Sequence, residues 1–221
     1  MRPRDLQRYL TDCGWPRSPV PPARSQEDAA LDGPPHEDLD ALARSAQGCT
    51  LCRLSEKRRT VVFGEGSPQA PVMLVGEGPG ADEDRTGRPF VGQAGQLLDQ
   101  MIFAMGFDRQ EVYIANVVKC RPPGNRDPQE DEMAACAPYL EKQIELIAPR
   151  VLVTLGKPAS RRLTGSSKTM GAMRGRWSSY RGIPLMPVFH PAYLLRNPKA
   201  KPQVWQDLKL ILQRLKSTGN E

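Results

Sequence analysis

The chain has 221 residues, 39% of them hydrophobic, which suits a single α/β domain with a real core. No apolar run reaches the ~18 residues of a membrane span, and the start MRPRDLQRYLTDCGW lacks the apolar stretch of a secretory signal; both point to a cytoplasmic protein with no membrane role. The formal charge of +6 is unevenly placed: from Lys157 onward thirteen Lys and Arg face two acids, leaving 18 against 23 in the first 156 residues. A basic C-terminal third suits a polyanion such as nucleic acid, although a merely solvated face reads the same on charge alone.

In chain order, Arg4 to Leu10 reads as a short helix. Residues 16–38, PRSPVPPARSQEDAALDGPPHED, are Pro-rich and poor in large apolar side chains, so they read as a flexible extension before a domain over 39–221. A helix runs from about Leu39 to Gln47, stopped by Gly48. PVMLVGE (71–77) is a buried strand, and Gln93–Met105 has the apolar spacing of a helix. VYIANVVKC (112–120) is a strand. Asp127 and Pro128 read as N-cap and first residue of the next helix. VLVTLG (151–156) is a third strand and Lys157–Leu163 a short helix. IPLMPVFH (183–190) is a fourth strand whose Pro184 and Pro187 demote it to an edge. Gln203–Lys216 is a last amphipathic helix. This alternation predicts a parallel sheet with helices on both faces. Its ligand site then lies beyond the carboxyl ends of the strands, at GEGPG, Asn116, Gly156 and His190.

The GEGPG turn (76–80) offers backbone N–H groups, but it is neither a P-loop nor a dinucleotide fingerprint. Its neighbours Glu77, Asp82, Glu83 and Asp84 would repel phosphate; acids suit water activation or stabilisation of a cation. Asn116 is a polar residue inside an apolar strand and must find partners. Its amide matches a pyrimidine edge that carries N–H beside C=O. Phe90 reads as core or as a plate on which a base stacks. His190, at a strand end, can donate to an electron-rich oxygen, or serve only as a cap or core residue.

Cys49-x2-Cys52, Cys120 and Cys136 could set four thiolates around zinc or an iron–sulfur cluster, with zinc favoured on spacing alone. Buried free thiols are the alternative. Cys13 stands apart from them.

Together, C49TLC52, G76EGPGADED84, T86GRPFVGQAGQLL98, N116VVKCRPPGNRDP128, C136APYL140, R174GRW177 and H190PAYLLRNP198 resemble the family 4 uracil-DNA glycosylases, over about residues 39–216. The resemblance implies a three-layer α/β/α sandwich around a four-stranded parallel sheet. It implies Cys49, Cys52, Cys120 and Cys136 as ligands of a structural [4Fe–4S] cluster, in place of zinc. It implies hydrolysis of the N-glycosidic bond of deoxyuridine in single- and double-stranded DNA. Nothing in the sequence demands an oligomer, so a monomer is expected. In that frame Gly76, Glu77 and Gly78 line the base pocket, Phe90 stacks, Asn116 reads uracil N3–H and O4, and His190 stabilises charge on O2. Glu83 is the first choice to orient water, then Glu77, then Asp84; alternatively Glu83 crowds C5 and excludes thymine. Leu194, with Tyr193 second, is the wedge that enters the duplex, unless both are core. Arg196, Lys199, Lys201, Arg174 and Arg176 contact phosphates.

Three other readings stay in view. One is the covalent branch of the superfamily, whose extra histidine is missing from CRPPGNRDPQ. The others are a non-catalytic DNA-binding module and a wider base preference.

Overall fold

A computed structural model describes residues 37–217. The expected helix at 4–10, Cys13 and the extension up to residue 36 lie outside the described residues. Six strands form one sheet in the order β1-β3-β2-β4-β6-β5. They are β1 (Glu65–Gly66), β2 (Val72–Gly76), β3 (Tyr113–Asn116), β4 (Val151–Leu155), β5 (Ser178–Tyr180) and β6 (Ile183–Val188). The run β3-β2-β4-β6 is parallel, while β1 and β5 add antiparallel edges. The sheet is therefore mixed and six-stranded, where four parallel strands were expected. The two additions are two and three residues long, too short to show a periodic pattern in sequence.

β6 is also internal, contrary to the edge reading of its prolines. Pro184 lies opposite Ser179 of β5, before the pairing with β4 begins, and Pro187 lies opposite Thr154, past the end of β5. Each proline thus has a strand on one side only, so its missing N–H removes no ladder bond that a second neighbour would need.

Strand residues alternate between two apolar cores, as period 2 requires. Val72, Leu74, Ile114 and Val153 face one, with side chains from α3 (Gln93–Ala104), α7 (Pro191–Arg196) and α8 (Lys201–Ser217). Met73, Val75, Ala115 and Leu152 face the other, with α1 (Glu37–Gln47), α4 (Glu130–Ile147) and α5 (Lys157–Thr164). The short helices α2 (Ala81–Thr86) and α6 (Met170–Met173) sit in connections; in helix numbering α2 follows β2 and α6 follows α5. The α1 helix starts at Glu37, inside the segment read as extension. The α4 helix starts two residues later than expected, with Gln129 as N-cap: Glu132 reaches back to accept from the Gln129 N–H at 2.8 Å.

Candidate functional site

β2 and β3 end side by side, Gly76 opposite Asn116. Gly156 follows β4 and His190 follows β6, so the four rim positions expected from the strand pattern do line one edge of the sheet. Gly76 has to be glycine. A Cβ there would fall 2.4 Å from Asn116 Oδ1 and 2.5 Å from the Phe90 ring. At Gly78 a Cβ would meet Val118 at 2.8 Å. Asn116 is 1% exposed, and its Oδ1 is the one buried side-chain oxygen or nitrogen among the described residues without a hydrogen-bond partner. Leaving such an atom unpaired costs about 1–3 kcal/mol, so it calls for an explanation beyond stability.

Phe90 is buried against Gly76 and lies 5.6 Å, centroid to centroid, from the His190 ring. Its backbone is in the left-handed region, φ 51°, which side-chain-bearing residues rarely adopt. Three devices hold it there. Arg109 donates to Phe90 O at 3.3 Å and to Pro89 O at 2.5 Å. Glu83 accepts from Val91 and Gly92 N–H at 2.8 and 3.0 Å. Gly95 lets α3 close in, since a Cβ there would sit 1.9 Å from Phe90 O. No sequence pattern marked Arg109 for this task.

His190 caps α7: its Nδ1 accepts from Ala192 N–H at 3.1 Å. That fixes the tautomer with the proton on Nε2. Burial first, and then the Arg196 charge, lower its pKa to about 4, against a weaker pull upward from Glu83. At neutral pH the ring is a neutral donor.

The acids of the 77–84 loop separate sharply. Glu83 accepts from Gly80 N–H at 3.1 Å through one oxygen and from Val91 and Gly92 through the other. Asp84 is buried and accepts from Arg59 N–H at 2.9 Å. Asp82 pairs with Arg85 on the surface. Glu83 thus clamps the Phe90 turn, and Asp84 is likewise engaged by backbone N–H groups. Glu77 differs. It is half-buried at the rim, and burial, reinforced by Asp127, raises its pKa to about 7.

The basic segment needs two corrections. Leu194 is fully buried in the core beneath α7 and cannot be a surface wedge; Tyr193 and Leu195 are the exposed side chains there, at 37% and 44%. The signal was available: Pro191 and Leu194 are three apart on one helical face, and both are buried. Arg174 is held by Asp207, in an ion pair reinforced by a 2.6 Å bond to Gln203 O, so it is a structural residue. Arg176, Arg196 and Lys199 are exposed, and Lys201 is half-buried.

Cys49, Cys52, Cys120 and Cys136 are free thiols that line one cavity with Leu51, Arg58, Lys119 and Tyr139. Arg58 lies 3.4 Å from Cys120 Sγ, and Lys119 N–H donates to Cys136 Sγ at 3.3 Å. A single zinc ion needs its sulfurs within about 2.3 Å of one point. Among the described residues no three candidate ligands are gathered that way.

A parallel α/β rim carrying a buried asparagine, a neutral histidine and an aromatic plate defines a class. Residues 63–209 match the Uracil DNA glycosylase superfamily, and the chain belongs to it. Within it, the chain is 46% identical to the type-4 uracil-DNA glycosylase of Thermotoga maritima over 73% of its own length and 85% of the relative's. It is 42% identical to that of Sulfurisphaera tokodaii, over 79% and 84%. The type-5 uracil-DNA glycosylase of Thermus thermophilus is more distant, at 32% over 55% and 70%. The chain is a member of the type-4 family.

Proposed function

We propose that this protein hydrolyses the N-glycosidic bond of deoxyuridine in DNA, releasing uracil and leaving an abasic site for repair. The observation that carries the reading is the unpartnered Asn116 Oδ1, buried beside Phe90 and Gly76. Uracil supplies the missing donor, its N3–H, and the Asn116 amide donates to O4. Cytosine presents an acceptor at N3 and a donor at C4, so it would leave buried groups unpaired, a mismatch that discriminates by ~10⁴ or more.

The base must leave the stack to reach this pocket. Phe90 then stacks on it, and Gly76 and Gly78 let it approach the backbone. As the bond breaks, negative charge grows on uracil N1 and O2, and the neutral His190 donates from Nε2 to O2. The sugar becomes a cation. Glu77 is the acid of the loop left uncommitted by backbone or arginine, and we assign it to orient water and face that cation. Leu195 or Tyr193 fills the vacated stack, in place of Leu194. Arg176, Arg196 and Lys199 contact phosphates of single- or double-stranded DNA. No helix among the described residues is long and apolar enough to cross a membrane; we read a cytoplasmic monomer.

Four thiols around a cavity, with N–H donors and two cations beside them, suit a [4Fe–4S] cluster better than one ion. Cys49, Cys52, Cys120 and Cys136 would hold it. When bound it would crosslink the 49–52 segment to the strand β3 exit and to α4, and take no part in hydrolysis.

The test is cleavage of single- and double-stranded oligonucleotides carrying one uracil, followed by alkali. Scission by the wild type that is lost in Asn116→Ala and His190→Ala supports the reading. A denaturant-resistant shifted band would assign the chain to covalent capture, and binding without either product would leave a non-catalytic module.

A further inference from the structure

Lys119 is the largest of the fully buried side chains, yet it bears an ammonium group. Lysine is almost never fully buried unless its charge is matched. Here Nζ donates to Asn116 O at 2.9 Å and to Gln143 Oε1 at 2.5 Å, and lies 5.8 Å from the centre of the Phe63 ring. Gln143 is itself fixed, donating to Phe63 O at 3.0 Å and to Tyr113 OH at 3.1 Å. The same residue's backbone N–H donates to Cys136 Sγ. Cys136 and Gln143 are seven residues apart on α4, two turns along one face. One helix therefore grips Lys119 at both its main chain and its tip.

Replacing a buried charge by an apolar residue of similar shape is often neutral or stabilising, so stability alone does not account for a lysine here. Position does. Asn116 Oδ1 has no partner of its own, so only packing and the backbone aim it. The backbone carbonyl of that residue is what Lys119 holds. A displacement of ~1 Å in a recognition group can cost ~10²-fold in rate.

We propose that Lys119 is a positioning residue for base recognition, tying the strand end that carries Asn116 to the cysteine centre through α4. The cysteine centre is then part of what aims Asn116, and not only a staple for the 49–52 segment. The proposal rests on the assignment of Asn116 as the uracil reader.

The experiment compares wild type, Lys119→Met and Gln143→Met, each purified with its bound iron counted. Two quantities are read: single-turnover excision of uracil, and inhibition by free uracil relative to 3-methyluracil, which lacks the N3–H. Positioning predicts a rate lowered ~10- to 100-fold. It also predicts a uracil preference over 3-methyluracil reduced at least several-fold, with iron content and melting temperature close to wild type. Gln143→Met should give the same pattern more weakly, and it carries the test if Lys119→Met does not fold. A folded variant with wild-type rate and undiminished uracil preference overturns the proposal. So does a variant that loses rate only in proportion to lost iron or lost fold. If wild type itself excises no uracil, or shows no preference for uracil over 3-methyluracil, the failure belongs to the functional reading beneath it.

Discussion

The end of β3 and the acidic loop beside it handle buried oxygens in opposite ways. In the loop, Glu83 spends both carboxylate oxygens on backbone N–H groups, and Asp84 accepts from the Arg59 N–H. At the strand end, Asn116 Oδ1 is buried without a partner, and Glu77 is half-buried, its pKa raised to about 7 by burial and then by the neighbouring Asp127 carboxyl, to which it is hydrogen-bonded. Satisfied groups are scaffold: they fix a turn and return their desolvation cost as stability. Groups left unsatisfied cost stability, and persist where a ligand completes them. This difference separates Glu83 from Glu77, and residue type and proximity in sequence do not reveal it, because they do not show which carboxylate is already engaged.

The comparison breaks most visibly at Asn116. Asn116→Ala should lower single-turnover excision ~10³-fold or more, while unfolding free energy changes by no more than about 1 kcal/mol, because the wild-type oxygen is unpaired in the free protein. A large loss of stability would place Asn116 with the scaffold instead.

The two glutamates should then separate in kind. Glu77→Gln should lower the rate at least ~10-fold. In wild type the rate should rise as pH passes through about 7, as Glu77 ionises, and that rise should vanish in the variant. Glu83→Gln should instead cost about 2 kcal/mol in denaturant unfolding, from lost bonds to a charged group. The stability signs also differ. Glu77 has its folded pKa raised from 4.5, so its contribution is full below that value and is lost as pH rises through about 7. His190 has its own lowered from 6.5, so its contribution is full above 6.5 and is lost as pH falls toward about 4. A Glu77→Gln protein that keeps the acid-side rate profile would sink the assignment.

The same contrast runs through α7. Leu194→Ala should cost about 2–5 kcal/mol by opening a core cavity. Leu195→Ala should leave stability within about 0.5 kcal/mol, yet slow excision from duplex DNA more than from single strands. The smallest effect is in the basic segment. Arg196→Ala should reduce the slope of log affinity against log salt by about one phosphate contact, with the fold unchanged. Arg174→Ala should leave that slope alone and cost about 3 kcal/mol, because it abandons the fully buried Asp207.

The sequence by itself determined the four parallel strands, the rim at their carboxyl ends and the cysteines as a set. These rest on local periodicity and on turn residues that the chain cannot disguise. Gly76, Asn116 and His190 were legible for the same reason: each interrupts an apolar strand at its end. Tertiary structure alone decided the rest. Strands β1 and β5 exist only as additions to edges that others provide. Leu194 and Leu195 are chemically identical neighbours, separated only by which face of α7 meets the sheet. Glu83 differs from Glu77 by the backbone N–H groups it engages, at Gly80, Val91 and Gly92, up to nine residues away in sequence. Lys119 reads in sequence as one more basic residue beside a cysteine, and only the packing of α4 over β3 turns it inward onto Asn116.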